Sequence, residues 1–347
     1  FDVSFQGGEA ALVPGSSMTV EATVDPPADA PLYQWYLNGS PLAGETDATI
    51  SIGAGLVEGK YTLTLLVDDG GVLSSNGFSF VVSVYARTPV VFVHGYGLSA
   101  SSFNTMISYL ESSVGYPPEL LRAVSLSPND GANIPAAENQ IQPAIEQFLT
   151  DVNDHIAVNV PGLPAKTKVD IVSHSMGGLS SRWYAARVRP DRVRVWLSLA
   201  GANHGTDDSY FTTVTTGGAE DIYPAYAESE TESYIQYQLN GAPYTPDVDE
   251  TPYGIGTDTA GVVVVSPDAD REIRYETIMP TTDSWISPID SIEVDGSGGL
   301  PVTIPGDLPA TELGPGSYQM TNGIGHDPML SDTDTIRLVE LLLELED

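Results

Sequence analysis

The chain has no cysteine in 347 residues. That excludes disulfides, thiolate metal sites and thiol nucleophiles, but it does not fix a compartment, because a chain of this length builds a core without covalent staples. Lysine is scarce: it supplies three of 13 basic residues, which face 47 acidic ones and leave a formal net charge of −34 at pH 7. The excess is not a tail. Residues 1–85 hold 10 acids and 1 base, and the remainder holds 37 and 12. Negative charge spread in this way repels nucleic acid and anionic membranes, so neither is an expected partner. Two explanations of the acidity stay open: an acidic secreted protein, or adaptation to high salt, where screening relieves self-repulsion. Although 41% of the residues are hydrophobic, there is no apolar run of membrane-spanning length. A start at Phe1, without a Met or a signal-peptide pattern, is read as a processed mature form, and the expected location is extracellular.

What is present begins with short strand patterns. Alternating residues predict strands at 17–24, 32–38, 48–52, 61–68 and 78–85, separated by turn residues such as Asn38-Gly39 and Asp69-Gly70-Gly71. Trp35, within Tyr33-Gln34-Trp35-Tyr36-Leu37, has the place of a buried core tryptophan. Gly59-Lys60-Tyr61-Thr62-Leu63 reads as a tyrosine corner. Residues 1–86 therefore resemble a bacterial Ig-like or PKD-type antiparallel β-sandwich. It is expected to act as a spacer or stabilising module, or else to bind substrate, polymer or cell surface. The pair Asp68-Asp69 reads as a solvated turn rather than a cation site.

The pattern changes at Pro89-Val90-Val91-Phe92-Val93, a continuous apolar strand of the kind buried on both faces. Helices are then predicted near 102–112, 136–152, 176–188 and 333–345, and strands near 122–127, 168–172, 193–200, 272–279 and 317–321. Alternation of this type predicts a mainly parallel sheet with helices on both faces.

The strand Val169-Asp170-Ile171-Val172-Ser173-His174 runs into Ser175-Met176-Gly177-Gly178 and then a helix. A serine on a sharp strand-to-helix turn presents its Oγ above the sheet edge, and small neighbours are required because the strand and helix backbones nearly touch. Ser173 stands where glycine is usual, so the turn reads S-x-S-x-G. Ser175 is the candidate nucleophile.

Four motifs in order, Val91-Phe92-Val93-His94-Gly95-Tyr96-Gly97, Ile171-Val172-Ser173-His174-Ser175-Met176-Gly177-Gly178, Leu199-Ala200-Gly201-Ala202-Asn203-His204-Gly205 and Gly323-Ile324-Gly325-His326, resemble the landmarks of α/β-hydrolase lipases, most closely the small bacterial class 2 lipases. The resemblance implies a minimal α/β-hydrolase domain over residues 87–347 that lacks the first two strands of the full fold, with residues 205–272 as an insertion. Carried over onto this sequence, it makes His326 the base, in a glycine-flanked loop before the last helix, and Asp283 the acid after the penultimate strand. Asp290 is the alternative acid, and His204 is the rival base. The backbone N–H groups of Tyr96 and Met176 become the oxyanion donors, supported by His94, Gly95 and Gly177. His174 is expected to pack, and His155 to lie on the surface. Tyr96, Met176, Trp285 and Phe103 are candidate walls of the acyl cleft.

The expected activity is a serine carboxylic-ester hydrolysis through an acyl-enzyme, acting on lipid or other ester substrates with no cofactor and no metal. One alternative keeps the triad and takes a polyester, as cutinase-like enzymes do. Another is a binding or adhesion protein with a silent hydrolase domain. The insertion, with Tyr210-Phe211, Tyr223 and Tyr226, reads as a lid or as surface elaboration. Its acids Asp247, Asp249, Glu250, Asp268 and Asp270 read as a solvated face rather than a calcium site.

Overall fold

A computed structural model describes residues 1–25, 31–211, 213–214, 217–223, 234–240, 273–287, 300–302 and 316–344. The runner-up acid Asp290, the acids Asp247, Asp249, Glu250, Asp268 and Asp270, and Tyr226 lie outside them. The chain divides into two compact units, residues 1–88 with 151–166, and residues 89–150 with 167–347.

The first unit holds two sheets. Strands β1 (Asp2–Gly7), β3 (Met18–Asp25) and β6 (Thr49–Ile52) form one, in the order β1-β3-β6. Strands β2 (Ala11–Leu12), β4 (Leu32–Leu37), β5 (Ser40–Pro41), β7 (Gly59–Asp69) and β8 (Val72–Val82) form the other, in the order β2-β8-β7-β4-β5. All pairings are antiparallel except that of β2 with β8, which is parallel. Because successive side chains point to opposite faces, Met18, Val20 and Ala22 of β3 and Leu63, Leu65 and Val67 of β7 turn into one shared core. Trp35 is fully buried there, and its indole N–H donates to the Asp47 carbonyl at 2.9 Å, so its one polar atom is not stranded. The Tyr61 hydroxyl donates to the Val57 carbonyl four residues upstream at 2.9 Å. His155 is half-buried rather than on the open surface, because its ring stacks on Tyr85 at 5.1 Å between centroids.

The second unit is built on a seven-stranded sheet of β9 (Val90–Val93), β10 (Leu121–Val124), β11 (Val169–His174), β12 (Val193–Leu199), β13 (Arg274–Met279), β14 (Leu300–Val302) and β15 (Gly316–Met320). The order is β10-β9-β11-β12-β13-β15-β14 and every pairing is parallel. All residues of β9 and β11 are buried, which requires cover on both faces of the sheet. Among the described residues the helices of this unit are α1 (Asn104–Tyr109), α2 (Asn133–Ala136), the first part of α3 (Gln142–Asn159), whose residues from 151 on belong to the first unit, α4 (Met176–Trp183), α5 (Gly218–Ile222), α6 (Tyr234–Asn240) and α7 (Thr333–Glu344). The apolar stripe of α7, Ile336, Val339 and Leu343 with Leu338 and Leu342, is buried. The helix begins where the Asp332 carboxylate accepts from the Thr335 N–H at 2.9 Å. None of the described helices is long and apolar enough to cross a membrane.

Strand order reverses between β9 and β11: the chain steps outward from β9 to β10, then crosses back to β11 on the other side. In open parallel sheets such a switch point leaves a crevice beyond the carboxyl ends of the strands, where ligands bind. The loop His94-Gly95-Tyr96 and the elbow at Ser175 both stand there.

Candidate active site

Ser175 ends β11 and starts α4 with φ 56° and ψ −130°, a left-handed conformation that costs a non-glycine residue on the order of 1–3 kcal/mol. Its neighbours hold it in place. The Ser175 N–H donates to the Leu199 carbonyl at 3.0 Å, and its own carbonyl accepts from Gly178 and Ala202. Close approach dictates the glycines: a Cβ on Gly177 would sit 2.6 Å from the His94 carbonyl oxygen, and one on Gly95 would sit 2.6 Å from the Ser175 Cβ. At Ser173 a side chain is tolerated because its hydroxyl turns into the sheet and donates to the Leu197 carbonyl at 3.0 Å.

Asp283 follows β13 and His326 follows β15. The Asp283 carboxylate accepts from His326 Nδ1 at 2.7 Å, with both side chains almost wholly shielded from solvent. Its other oxygen accepts the Trp285 and Ile286 N–H groups, each at 2.8 Å. Three donors thus orient the carboxylate, and the acceptor at Nδ1 selects the tautomer that leaves Nε2 of His326 as a proton acceptor. Ser175 and His326 line the same cavity, of about 230 Å³.

The other histidines have separate partners. His94 is buried and accepts the Leu126 N–H at Nε2, 3.1 Å away, so its Nδ1–H faces the Gly95 carbonyl at 2.9 Å. Burial lowers its pKa, and the neutral ring ties the loop after β9 to the segment after β10. His174 is fully buried against His326, with ring centroids 4.7 Å apart, and its Nε2 lies 3.2 Å from the His326 carbonyl. Burial first, and the charge of His326 second, hold its pKa well below the usual value. His204 is fully buried and is not among the residues that line the cavity.

The N–H groups of Tyr96 and Met176 have no hydrogen-bond partner among the described residues, and they flank the elbow from the loop after β9 and from the first residue of α4. The Tyr96 and Trp285 side chains line the cavity. Phe103 does not: it is fully buried and packs on Phe92 at 5.2 Å between centroids, because its position at the start of α1 faces the sheet. The Met176 side chain is also buried, and it faces Gly218 at the start of α5, where it leaves no room for a Cβ.

The remaining walls are Tyr210, Phe211, Ile222, Ile286, Leu98 and Asp327. Sequence reasoning noted the pair Tyr210-Phe211 as part of the insertion and missed the others, since isolated residues in loops and in a five-residue helix carry no periodicity. Thr206 stitches the start of the insertion to the loop carrying Asp283. Its hydroxyl donates to the Trp285 carbonyl at 2.6 Å and accepts the Ser287 N–H at 3.0 Å. His174, His326 and Asp327 offer potential ligand atoms within 4.8 Å of one another, but the His326 ring is engaged by Asp283 and lines the cavity that Ser175 also lines.

Comparison with known proteins finds a partial family match. The profile of the palmitoyl protein thioesterase family, an α/β-hydrolase family, matches residues 89–253. The match covers β9, the elbow and the first part of the insertion, and it supports a hydrolase of ester or thioester substrates. Solved structures similar to the chain include a Listeria innocua protein, the product of gene lin2722, at 14% identity over 75% of this chain and 95% of that one, with a TM-score of 0.43. The carboxylesterase CesB from Bacillus subtilis is 13% identical over 81% of this chain and 87% of that one, with a TM-score of 0.35. Lipase B from Aspergillus fumigatus is 16% identical over 58% of this chain and 39% of that one, with a TM-score of 0.32.

Proposed function

We propose that the protein is an extracellular serine hydrolase of carboxylic esters that works through an acyl-enzyme on Ser175. The observation that carries the reading is the Asp283–His326 hydrogen bond at 2.7 Å, with His326 opening onto the cavity that Ser175 also lines. A serine hydroxyl becomes nucleophilic when a base within reach takes its proton. Here Ser175 Oγ attacks the ester carbonyl carbon while Nε2 of His326 accepts the proton. Asp283 stabilises the imidazolium and does not itself become protonated. The carbonyl oxygen gathers negative charge between the N–H groups of Tyr96 and Met176. Collapse of the tetrahedral intermediate expels the alcohol, protonated by His326. Water, deprotonated by the same ring, then attacks the acyl-enzyme and frees Ser175. No cofactor enters this scheme. The palmitoyl thioesterase match supports a second leaving group, a thiol, released by the same steps.

The test is hydrolysis of a p-nitrophenyl ester series and a matched thioester by the native protein and Ser175→Ala, with a phosphonate label located by mass spectrometry. Loss of at least about a thousandfold in kcat, with the label on Ser175, is the expected outcome. Unchanged turnover in the variant, or a label elsewhere, rejects the assignment.

A further inference from the structure

The mouth of the cavity is aromatic, and among the described residues no lysine or arginine lines it. Tyr210 meets Tyr96, Phe211 and Trp285 edge to face, at 6.3, 5.1 and 6.0 Å between centroids, and Phe211 closes the group against Tyr96 at 5.7 Å. Two of the rings keep open surface, Tyr210 at 45% and Trp285 at 39% exposed. Among the described residues of the lining, the one formally charged group apart from the His326 base is Asp327, whose carboxylate is exposed. A second carboxylate, Asp130, acts on the Tyr96 phenol, whose pKa is raised by burial first, then by the hydrogen bond to Tyr210 and by the negative charge of Asp130.

The sequence makes this one-sided. Residues 88–121, 169–181, 195–270 and 275–336, the stretches that supply every described lining residue, contain no lysine and no arginine. Arg182, which follows the second of these stretches, is fully buried in α4. The described lining thus carries negative charge within a protein that is already strongly acidic. An anionic group carried by a substrate, such as the phosphates of a nucleotide-linked thioester, would find no counter-charge among the described residues and would meet repulsion from Asp327. A cation finds the opposite. Aromatic faces attract it through their quadrupoles, tryptophan most strongly, and the carboxylates and overall field add to that attraction.

Resting on the hydrolase reading above, we propose that the site selects esters whose alcohol portion carries a positive charge, with a quaternary ammonium group seated on Tyr210 and Trp285 and facing Asp327. The acyl carbonyl then lies at Ser175, and the cationic alcohol is the first product released. The reaction is an ordinary ester hydrolysis: Ser175 Oγ bonds the acyl carbon, the ester C–O bond breaks, and the alcohol leaves with the proton from His326.

The deciding experiment compares kcat/KM for butyrylcholine with that for its neutral carbon isostere, 3,3-dimethylbutyl butyrate, in the full chain at low salt. The two esters share shape and acyl group and differ in charge, so effects common to both cancel in the ratio. A preference of about tenfold for the cationic ester is expected, shrinking toward parity in molar salt as the screening length falls to about 3 Å. Trp285→Leu and Asp327→Asn should each reduce the ratio at low salt. A ratio at or below one in the native protein, with both esters hydrolysed in a Ser175-dependent manner, overturns the proposal and leaves the hydrolase reading standing. If neither ester is hydrolysed and p-nitrophenyl esters are also inert, the hydrolase reading fails and the proposal falls with it.

Discussion

Along β3 of the first unit, buried and exposed residues alternate from Met18 to Ala22, whereas all six residues of β11 in the second unit are buried. The first arrangement sends polar side chains to water and keeps the core apolar, so that unit holds hydrophobic residues around Trp35 and, among its described residues, no fully buried carboxylate or histidine. A strand covered on both faces has no water-facing side. Its polar residues must find partners inside, because an unpaired buried polar group costs on the order of 1–3 kcal/mol. Asp170 therefore pairs with Arg194 at 2.6 Å, and Ser173 bonds a strand carbonyl. The polar groups at the carboxyl ends of the same strands are the ones left to do chemistry. The comparison teaches where to look: in the first unit polarity marks the outside, and in the second it marks either a satisfied internal pair or the site.

Three perturbations separate the two units, from the largest effect to the smallest. Asp283→Asn should lower kcat toward p-nitrophenyl butyrate by about a thousandfold or more, because the wrong tautomer of His326 is then favoured while the packing is unchanged. Single-turnover kinetics with an unshifted unfolding midpoint would place the loss in chemistry, and a loss under tenfold would remove Asp283 from its role. Trp35→Ala should do the reverse. It empties the core of the first unit and costs about 3–5 kcal/mol of that unit's stability, read from denaturant unfolding, while kcat/KM of the folded protein stays within about twofold. If activity collapses at conditions where the protein remains folded, the chemistry is not confined to the second unit.

The smallest effect is the pH dependence of stability. His94 and His174 are buried and have lowered pKa values, so in the folded state both remain neutral at pH values where the unfolded chain, near its ordinary value of about 6.5, takes up protons. The unfolded state then binds more protons, and stability falls as pH drops below about 6.5, by on the order of 1 kcal/mol per pH unit for each histidine until its folded pKa is reached. Above that pH the two histidines contribute no slope. His174→Phe should flatten the acid limb measured by unfolding midpoints between pH 7 and 5. An unchanged slope would show that His174 is not held neutral.

The parts of this site legible in the sequence are the local ones. An elbow needs a strand, a serine and small residues within ten positions, so Ser175, Gly177 and the turn could be read directly. His94-Gly95-Tyr96 was equally plain because it closes an apolar strand. Asp283 and His326 are legible only through the resemblance to α/β-hydrolase lipases, since they stand 43 residues apart along the chain and yet share a hydrogen bond. The error at Phe103 has a clear physical origin: near a helix start, an aromatic residue can face the sheet or the solvent cleft, and only the partner, here Phe92, decides. In the first unit, the outer half of β8, Val72-Leu73-Ser74-Ser75-Asn76-Gly77, has little strand character, and is extended because it pairs residue by residue with β7.

The sequence by itself determined the alternation of strands and helices, the position of Ser175 on its turn, the acidity, and the lack of lysine and arginine in the stretches that supply the described cavity lining, since each of these depends on neighbours along the chain. Only the tertiary structure decided that Tyr210, Phe211 and Trp285 stand beside Ser175, that Asp283 rather than water holds His326, and that Thr206 ties two loops together. Those contacts join residues tens of positions apart, and no local period records them. They exist because a parallel sheet brings the ends of non-consecutive strands to a common edge.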